Sequence, residues 1–133
     1  MKLISLIFSF KNEEKNIQEL IDRVSKTLSQ IKDRWNYEMI FVNDASTDNS
    51  ETLLVDLQKK YPITIINMSR TFGGGPCVLA GFKEAKGDVI VYLDSDLQDP
   101  PEIIIEMLSK FEEGNDIVHT VGTKRLGEPW FKL

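Results

Sequence analysis

Two aspartates separated by one residue, in Asp94-Ser-Asp96-Leu-Gln98-Asp99-Pro100-Pro101, carry the most chemistry of any short stretch in the chain. Carboxylates at this spacing can approach one hard cation with oxygen ligands, and Gln98 can add a third oxygen. Ten aspartates among 133 residues would produce about 0.7 Asp-x-Asp triplets by chance, so the spacing needs a context. That context is Val89 to Leu93, an apolar, β-branched run that reads as a strand buried on both faces of a parallel sheet. A strand so buried cannot keep carboxylates, and the pair stands where it emerges, at the carboxyl end where ligands sit in open α/β sheets. The alternative is that Asp96 or Asp99 merely caps the helix after Pro100-Pro101.

Two further polar clusters follow apolar runs in the same way. Asn12-Glu13 comes after Leu3 to Phe10, and Asn43-Asp44 with Ser46 and Asp48 comes after Tyr37 to Asn43. Each has a plain alternative as a helix cap or capping turn, with Asn12 and Ser46 or Thr47 as the capping residues. In a parallel sheet, however, loops after successive strands share one edge, so the three clusters converge on a single crevice. An edge rich in carboxylates and poor in cations suits a diphosphate brought in with Mg²⁺ or Mn²⁺, the ion neutralising charge on a leaving phosphate. Arg70 after the third strand is placed to contact a nucleotide, and Arg125 to reach a phosphate; each has the alternative of a solvated charge. His119, inside a strand, reads as structural, and Cys77 has no nearby His in sequence to make it a nucleophile.

The elements that must position these residues alternate regularly. After strand one, a helix carries Ile17, Leu20, Ile21, Val24, Leu28 and Ile31 at intervals of three and four, one core-facing stripe. After strand two, a second helix sets Leu53, Leu54, Leu57 and Tyr61 inward, and Pro62 ends it. Ile63 to Met68 is a third strand, followed by Gly73-Gly74-Gly75-Pro76 and a short helix from Cys77 to Ala85. Three glycines remove Cβ atoms where a loop must pass close to something. Gly87 closes that helix before the Val89–Leu93 strand, Glu102 to Glu113 is a fourth helix, and Asp116 to Val121 a fifth strand. The β-α alternation means a mostly parallel, Rossmann-like sheet with right-handed crossovers and helices on both faces, in one domain spanning residues 1–133.

Composition narrows the function classes. A net charge of −5 and a pI near 4.9 argue against nucleic-acid binding, which needs a basic face. One cysteine excludes an intrachain disulfide and fits a reducing, cytoplasmic compartment. The opening apolar run lacks the features of a signal peptide, and no stretch approaches the roughly 20 apolar residues of a membrane helix.

Taken in order, Ser5-Leu-Ile-Phe-Ser-Phe-Lys-Asn12-Glu13-Glu14, Phe41-Val-Asn-Asp44-Ala-Ser46-Thr-Asp48, Ser69-Arg70-Thr-Phe-Gly73 and Leu93-Asp94-Ser-Asp96-Leu-Gln98-Asp99-Pro100-Pro101 resemble the successive motifs of family 2 glycosyltransferases. The last is most similar to the polyprenyl-phosphate branch, which includes dolichol-phosphate mannose synthases and bactoprenol glucosyltransferases. The resemblance covers nearly all of the chain. It implies a GT-A fold, a UDP- or GDP-linked sugar donor, a divalent metal, inversion at the anomeric carbon, and a polyprenyl-phosphate or cell-envelope glycan acceptor. By position it implies that Asp44 contacts the base, that Glu13 and Arg70 help hold the nucleotide with Asn12 and Ser46 nearby, and that Asp94, Asp96 and Gln98 hold metal and diphosphate. Arg125 resembles the arginine that faces phosphate groups in the family.

The chain departs from the family pattern in three ways. The usual Pro-x-Tyr-Asn before Glu13 is here Ser9-Phe-Lys11-Asn12, which removes the aromatic ring near the base, and an arginine often found after strand five is Gly122. The chain also stops where the family's acceptor-binding segment, and in this branch membrane helices, would continue. A truncated catalytic domain is therefore expected, with the full-length form at the cytoplasmic face of a membrane. Of the competing readings, a haloacid-dehalogenase phosphatase needs its Asp-x-Asp on the first strand. A receiver needs a phosphoacceptor Asp after the third strand, where this chain has Ser69-Arg70. A nucleotide-sugar-binding domain without turnover remains the alternative to an enzyme.

Overall fold

The computed structural model describes residues 1–118. Its strands are β1 (Lys2–Phe10), β2 (Trp35–Asn43), β3 (Ile63–Asn67) and β4 (Val89–Tyr92), and its helices are α1 (Ile17–Ser29), α2 (Ser50–Leu57), α3 (Gly74–Glu84) and α4 (Ile103–Glu112). The strands form one sheet in the order β3-β2-β1-β4, with every pair parallel. The expected mostly parallel α/β architecture is therefore present. Met1–Glu102 forms one compact unit, and the chain from Ile103 groups as a second.

The strand order dictates where the helices go. The chain steps outward from β1 to β2 to β3 and then returns to the other side of β1 for β4. Right-handed crossovers consequently place α1 and α2 on one face and α3 on the opposite face. On the α3 face, Ile7, Ile40, Val42 and Cys77 form a buried cluster. A Cβ on Gly81 of α3 would lie 2.6 Å from Ile7 Cγ2, so this helix packs tightly over β1 only because residue 81 has no side chain. On the other face Phe8 stacks on Phe41 at 4.9 Å between ring centroids, and Phe10 meets Phe41 edge-on at 6.1 Å. Ile17, Leu20, Ile21, Val24 and Leu28 of α1 are all buried, as their spacing predicts. Burial stabilises the fold by about 1.5–3 kcal/mol for each such side chain.

Several expectations need correcting. β4 is not buried on both faces: it is the edge of the described sheet, and Ile90 is 43% exposed and Tyr92 36%. The run from Val89 to Leu93 is mostly apolar, but such a run records hydrophobicity and not position within the sheet; β1 and β2 hold the centre. α3 starts at Gly74, three residues before the expected Cys77, so Gly74 and Gly75 lie inside its first turn. No protein atom stands within 4 Å of a Cβ built on Gly73, Gly74 or Gly75, so these residues do not make room for the chain itself. Gly73 is needed for its backbone, at φ 92°.

Gly87 does not serve as a left-handed helix terminator. A Cβ there would stand 2.7 Å from Ser5 N and 2.9 Å from Leu3 O, so glycine lets the chain entering β4 lie against β1. In the second unit, α4 ends at Gly114, at φ 105°, whose N–H donates to Phe111 O. Residues 116–118 are not in a strand, and the rest of the expected fifth strand, with His119, lies outside the described residues, as does Arg125. Among the described residues no helix is long and apolar enough to cross a membrane.

Candidate functional site

β1 lies between β2 and β4: the chain steps from β1 to β2 on one side, and after β3 it reverses direction to place β4 on the other. Such a reversal point opens a crevice at the carboxyl ends of the strands. A cleft of about 290 Å³ occupies this place, lined by Ser9, Phe10, Lys11 and Glu13 after β1, Asp44 after β2, Gly74 and Cys77 of α3, and Asp94, Ser95 and Asp96 after β4. The three polar clusters do share one edge. Glu13, Asp44, Asp94 and Asp96 bring four carboxylates to the lining against one ammonium, that of Lys11.

The loops after β1 and β2 are clasped together by their own side chains. Asn12 adopts φ 56°, and its Oδ1 accepts hydrogen bonds from Thr47 N at 2.8 Å and Asp48 N at 3.2 Å. In return Asn12 N donates to Ser46 Oγ at 2.9 Å, Glu13 N to Ser50 Oγ at 3.0 Å, and Glu14 N to Asp48 Oδ2 at 3.2 Å. Neither Asn12 nor Ser46 or Thr47 caps a helix: α1 begins at Ile17 after Asn16, and α2 at Ser50 after Asn49. Asp48 Oδ1 instead receives Ser50 N at 3.0 Å and Ser50 Oγ at 2.6 Å. Burial alone would raise the Asp48 carboxyl above its ordinary value, but the hydrogen bonds from Ser50 and Glu14 outweigh it and hold it lower. The structure thus places Asn12 and Ser46 in the clasp and outside the cleft lining, while Glu13 reaches the lining.

Asp44 is 8% exposed and is strongly engaged. Its Oδ1 accepts from Phe72 N at 2.7 Å and its Oδ2 from Gly73 N at 3.0 Å, which fixes the loop leading into α3. The Phe72 N–H is the main cause that holds this carboxyl below the ordinary aspartate value, against the opposing effect of burial and with help from Gly73, Cys77 and the Lys11 charge. Burial and the neighbouring Asp44 charge push the Cys77 thiol up to about 11, so it stays protonated near neutral pH and is no nucleophile. Lys11 Nζ donates to Thr71 Oγ1 at 3.0 Å, and that hydroxyl donates to Asp44 O at 3.3 Å, tying the β1 loop to the same segment. Arg70 is exposed and stacks its guanidinium over Phe72 at 4.1 Å, outside the lining.

On the β4 side, Asp94 Oδ1 accepts from Tyr92 OH at 3.2 Å, and Asp96 Oδ1 accepts from Gln98 N at 3.2 Å across a tight turn in which Leu97 adopts φ 66°. Asp96 thus turns the loop locally, ahead of α4, which begins only at Ile103. Gln98 is exposed and outside the lining. Asn12, Ala45 and Leu97 are the described non-glycine residues at positive φ, and each lies in a loop that borders the cleft. Backbone in this region costs free energy and persists where surrounding bonds over-determine it. Sequence reasoning passed over Ser9, Tyr92 and Ser95; polar residues inside or beside an apolar strand were the available signal.

Among the described residues no group of three or more His, Cys, Asp or Glu side chains is placed to hold a metal ion. Asp94 and Asp96 are two carboxylates on one loop, and the protonated Cys77 offers no soft thiolate. Mg²⁺-type ions commonly take one or two carboxylates and complete their shell with water and substrate phosphate, so the residues present suit such an ion only together with a phosphate ligand.

Residues 5–132 match the sequence profile of glycosyl transferase family 2, and the chain belongs to that family. It is 43% identical over 129 residues to an uncharacterized glycosyltransferase, YkcC, of Bacillus subtilis (strain 168), covering 96% of this chain and 39% of the relative. It is 36% identical to an undecaprenyl-phosphate 4-deoxy-4-formamido-L-arabinose transferase of Proteus mirabilis (strain HI4320), over 97% of this chain and 39% of the relative. It is 38% identical to a dolichol-phosphate mannosyltransferase of Pyrococcus furiosus, over 86% and 31%. The last two names fall in the polyprenyl-phosphate branch to which the motifs point.

The chain therefore spans well under half the length of these relatives. Among solved structures, S. aureus TarS in complex with UDP superposes with a TM-score of 0.68 at 22% identity, covering 91% of this chain and 39% of that one. A mannosyltransferase from Pyrobaculum calidifontis in complex with GDP-Man and Mn2+ superposes with a TM-score of 0.65 at 21% identity, covering 77% and 30%. At these identities the likeness establishes the fold, which is GT-A.

Proposed function

We propose that the chain is the donor-binding part of a metal-dependent, inverting glycosyltransferase that moves a sugar from a UDP- or GDP-linked donor to polyprenyl phosphate or a cell-envelope glycan, at the cytoplasmic face of a membrane. The observation that carries this reading is the convergence of Glu13, Asp44, Asp94 and Asp96 on one cleft at the β1/β4 reversal point. Two relatives named for undecaprenyl and dolichol phosphate support the acceptor, and a GT-A neighbour crystallised with GDP-Man and Mn2+ supports donor and ion.

Asp94 and Asp96, with Gln98 from the same loop, would hold the cation, which neutralises charge on the departing diphosphate. Asp44 would accept a base N–H with lone pairs left over from Phe72 and Gly73, since an ionised carboxylate can accept about four hydrogen bonds. Glu13, with Asn12 and Ser46 behind it, and Arg70 would border the nucleotide, and Arg125 would face phosphate. In the transfer, an acceptor oxygen forms a bond to the anomeric carbon on the face opposite the donor diphosphate. The carbon–oxygen bond to that diphosphate breaks, and its electron pair leaves with the nucleotide. A phosphate acceptor is already anionic near neutral pH, so no side chain has to act as general base toward it.

The test is thermal unfolding of the 133-residue chain with UDP and GDP, each with and without Mn²⁺. Stabilisation by one nucleotide only when the ion is present is expected, since a ligand at a hundred times its Kd stabilises the folded state by about 2.7 kcal/mol. Unchanged unfolding with both nucleotides at millimolar concentration would remove the basis for the proposal. Because the chain spans only 31–39% of these relatives, binding without turnover is the second reading, and single-turnover assays with a polyprenyl phosphate separate the two.

A further inference from the structure

Tyr92 and Ser9 stand beside the cleft and have no part in the roles given above. Tyr92 pairs with Ile7 in the parallel register of β1 and β4, and Ser9 lies two residues further along β1 on the same face. A diagonal neighbour at this spacing is within reach of a long aromatic side chain. The Tyr92 hydroxyl stands 3.0 Å from Ser9 Oγ and 3.2 Å from Asp94 Oδ1. The donors in this chain of contacts follow from chemistry. An ionised carboxylate can only accept, so Tyr92 spends its one proton on Asp94, and Ser9 must then donate to the phenol oxygen. A phenol is ordinarily protonated near neutral pH, so Tyr92 has that proton to donate.

Ser9 grips the other flank of Asp94 as well. Its carbonyl accepts from the buried Ser95 Oγ at 3.0 Å. One residue at the end of β1 thus ties down both Tyr92 and Ser95, on either side of Asp94 in the chain.

We propose that Ser9 and Tyr92 are positioning residues that aim the Asp94 carboxylate at the divalent cation of the donor complex. Hydrogen bonds of this outer kind fix ligand orientation and basicity, and their loss commonly costs 10–100-fold in metal affinity. The inference rests on the reading of Asp94 as a cation ligand, and the experiment keeps the two separable.

Mn²⁺ affinity of the 133-residue chain in the presence of UDP or GDP is measured by the electron paramagnetic resonance of free Mn²⁺, for wild type, Tyr92→Phe, Ser9→Ala, Ser9→Thr, the Tyr92→Phe/Ser9→Ala pair and Asp94→Asn. Tyr92→Phe should weaken Mn²⁺ binding about tenfold or more, with the ligand-free melting temperature little changed. Ser9→Ala should weaken it in the same direction, Ser9→Thr should retain it by keeping the hydroxyl, and the pair should be no worse than Tyr92→Phe alone, because Ser9 acts through the phenol. Wild-type affinity in Tyr92→Phe while Asp94→Asn is impaired overturns the positioning role and leaves the cation reading intact. Wild-type affinity in Asp94→Asn overturns both. Should Tyr92→Phe unfold the protein, Ser9→Ala against Ser9→Thr decides: equal affinity in the two rejects the relay.

Discussion

On the β2 side of the cleft, Asp44 is nearly buried and receives two backbone N–H groups from the loop into α3; on the β4 side, Asp94 and Asp96 are half-buried, and the bonds described for them come from a phenol and from the next turn of their own loop. The same residue type is thus used in two ways. The carboxylate of Asp44 joins segments 28 and 29 residues apart into one wall, whereas the bonds described for Asp94 and Asp96 each span two residues. A group that already satisfies a scaffold costs stability when it is removed. A group held for a ligand costs affinity.

The largest effect that would sharpen this contrast is expected at Asp96. Asp96→Asn keeps the shape and still offers an oxygen to Gln98 N, so the turn and the melting temperature should survive. Nucleotide affinity in the presence of Mn²⁺, measured by calorimetry, should fall by up to a hundredfold, since a bond to an ionised group is worth about 1.5–3 kcal/mol. If affinity stays at the wild-type value on a folded sample, Asp96 belongs with the scaffold and the contrast between the walls collapses.

Next in size is the clasp behind the β1 wall. Asn12→Ala removes an acceptor shared by Thr47 and Asp48 N–H groups and leaves an alanine at φ 56°, so a loss of about 2 kcal/mol in denaturant unfolding is expected. Asn12→Gly removes the same bonds but tolerates the backbone, and should lose less. Equal losses would show that the left-handed conformation contributes nothing of its own.

The smallest effect is a pH dependence. The folded-state value of Asp44 is depressed, so the unfolded chain binds the proton more readily as pH falls. The stability that Asp44 contributes is present in full above the ordinary aspartate value and is lost as pH drops through the lower folded value. Comparing the pH slope of unfolding free energy in wild type and Asp44→Asn should show a shallower acid limb in the variant. Parallel limbs would mean that the hydrogen bonds from Phe72 and Gly73 favour the charged carboxylate no more than water does.

Much of the architecture was legible in the chain because it depends on neighbours in sequence. The three-and-four spacing of Ile17 to Leu28 specifies a helix face, apolar β-branched runs specify strands, and carboxylates stand just past the ends of β1, β2 and β4. The convergence of Glu13, Asp44 and Asp94 followed from parallel topology, and the family motifs were legible in the residues themselves. What local pattern could not decide was which surfaces meet. Val89 to Leu93 reads as apolar wherever its strand lies, and only the sheet order made β4 an edge. Asn12 and Ser46 have the chemistry of helix caps, yet they bond to each other's loops across 34 residues because those loops leave neighbouring strands. Gly81 and Gly87 look like interchangeable glycines until Ile7 and the β1 backbone are seen pressed against them. Periodicity and polarity are properties of a segment, so the sequence by itself determined the elements and where their chemistry emerges. Edge position, cross-loop bonds and the engagement of Asp44 by Phe72 and Gly73 are properties of pairs of segments, and only the tertiary structure decided them.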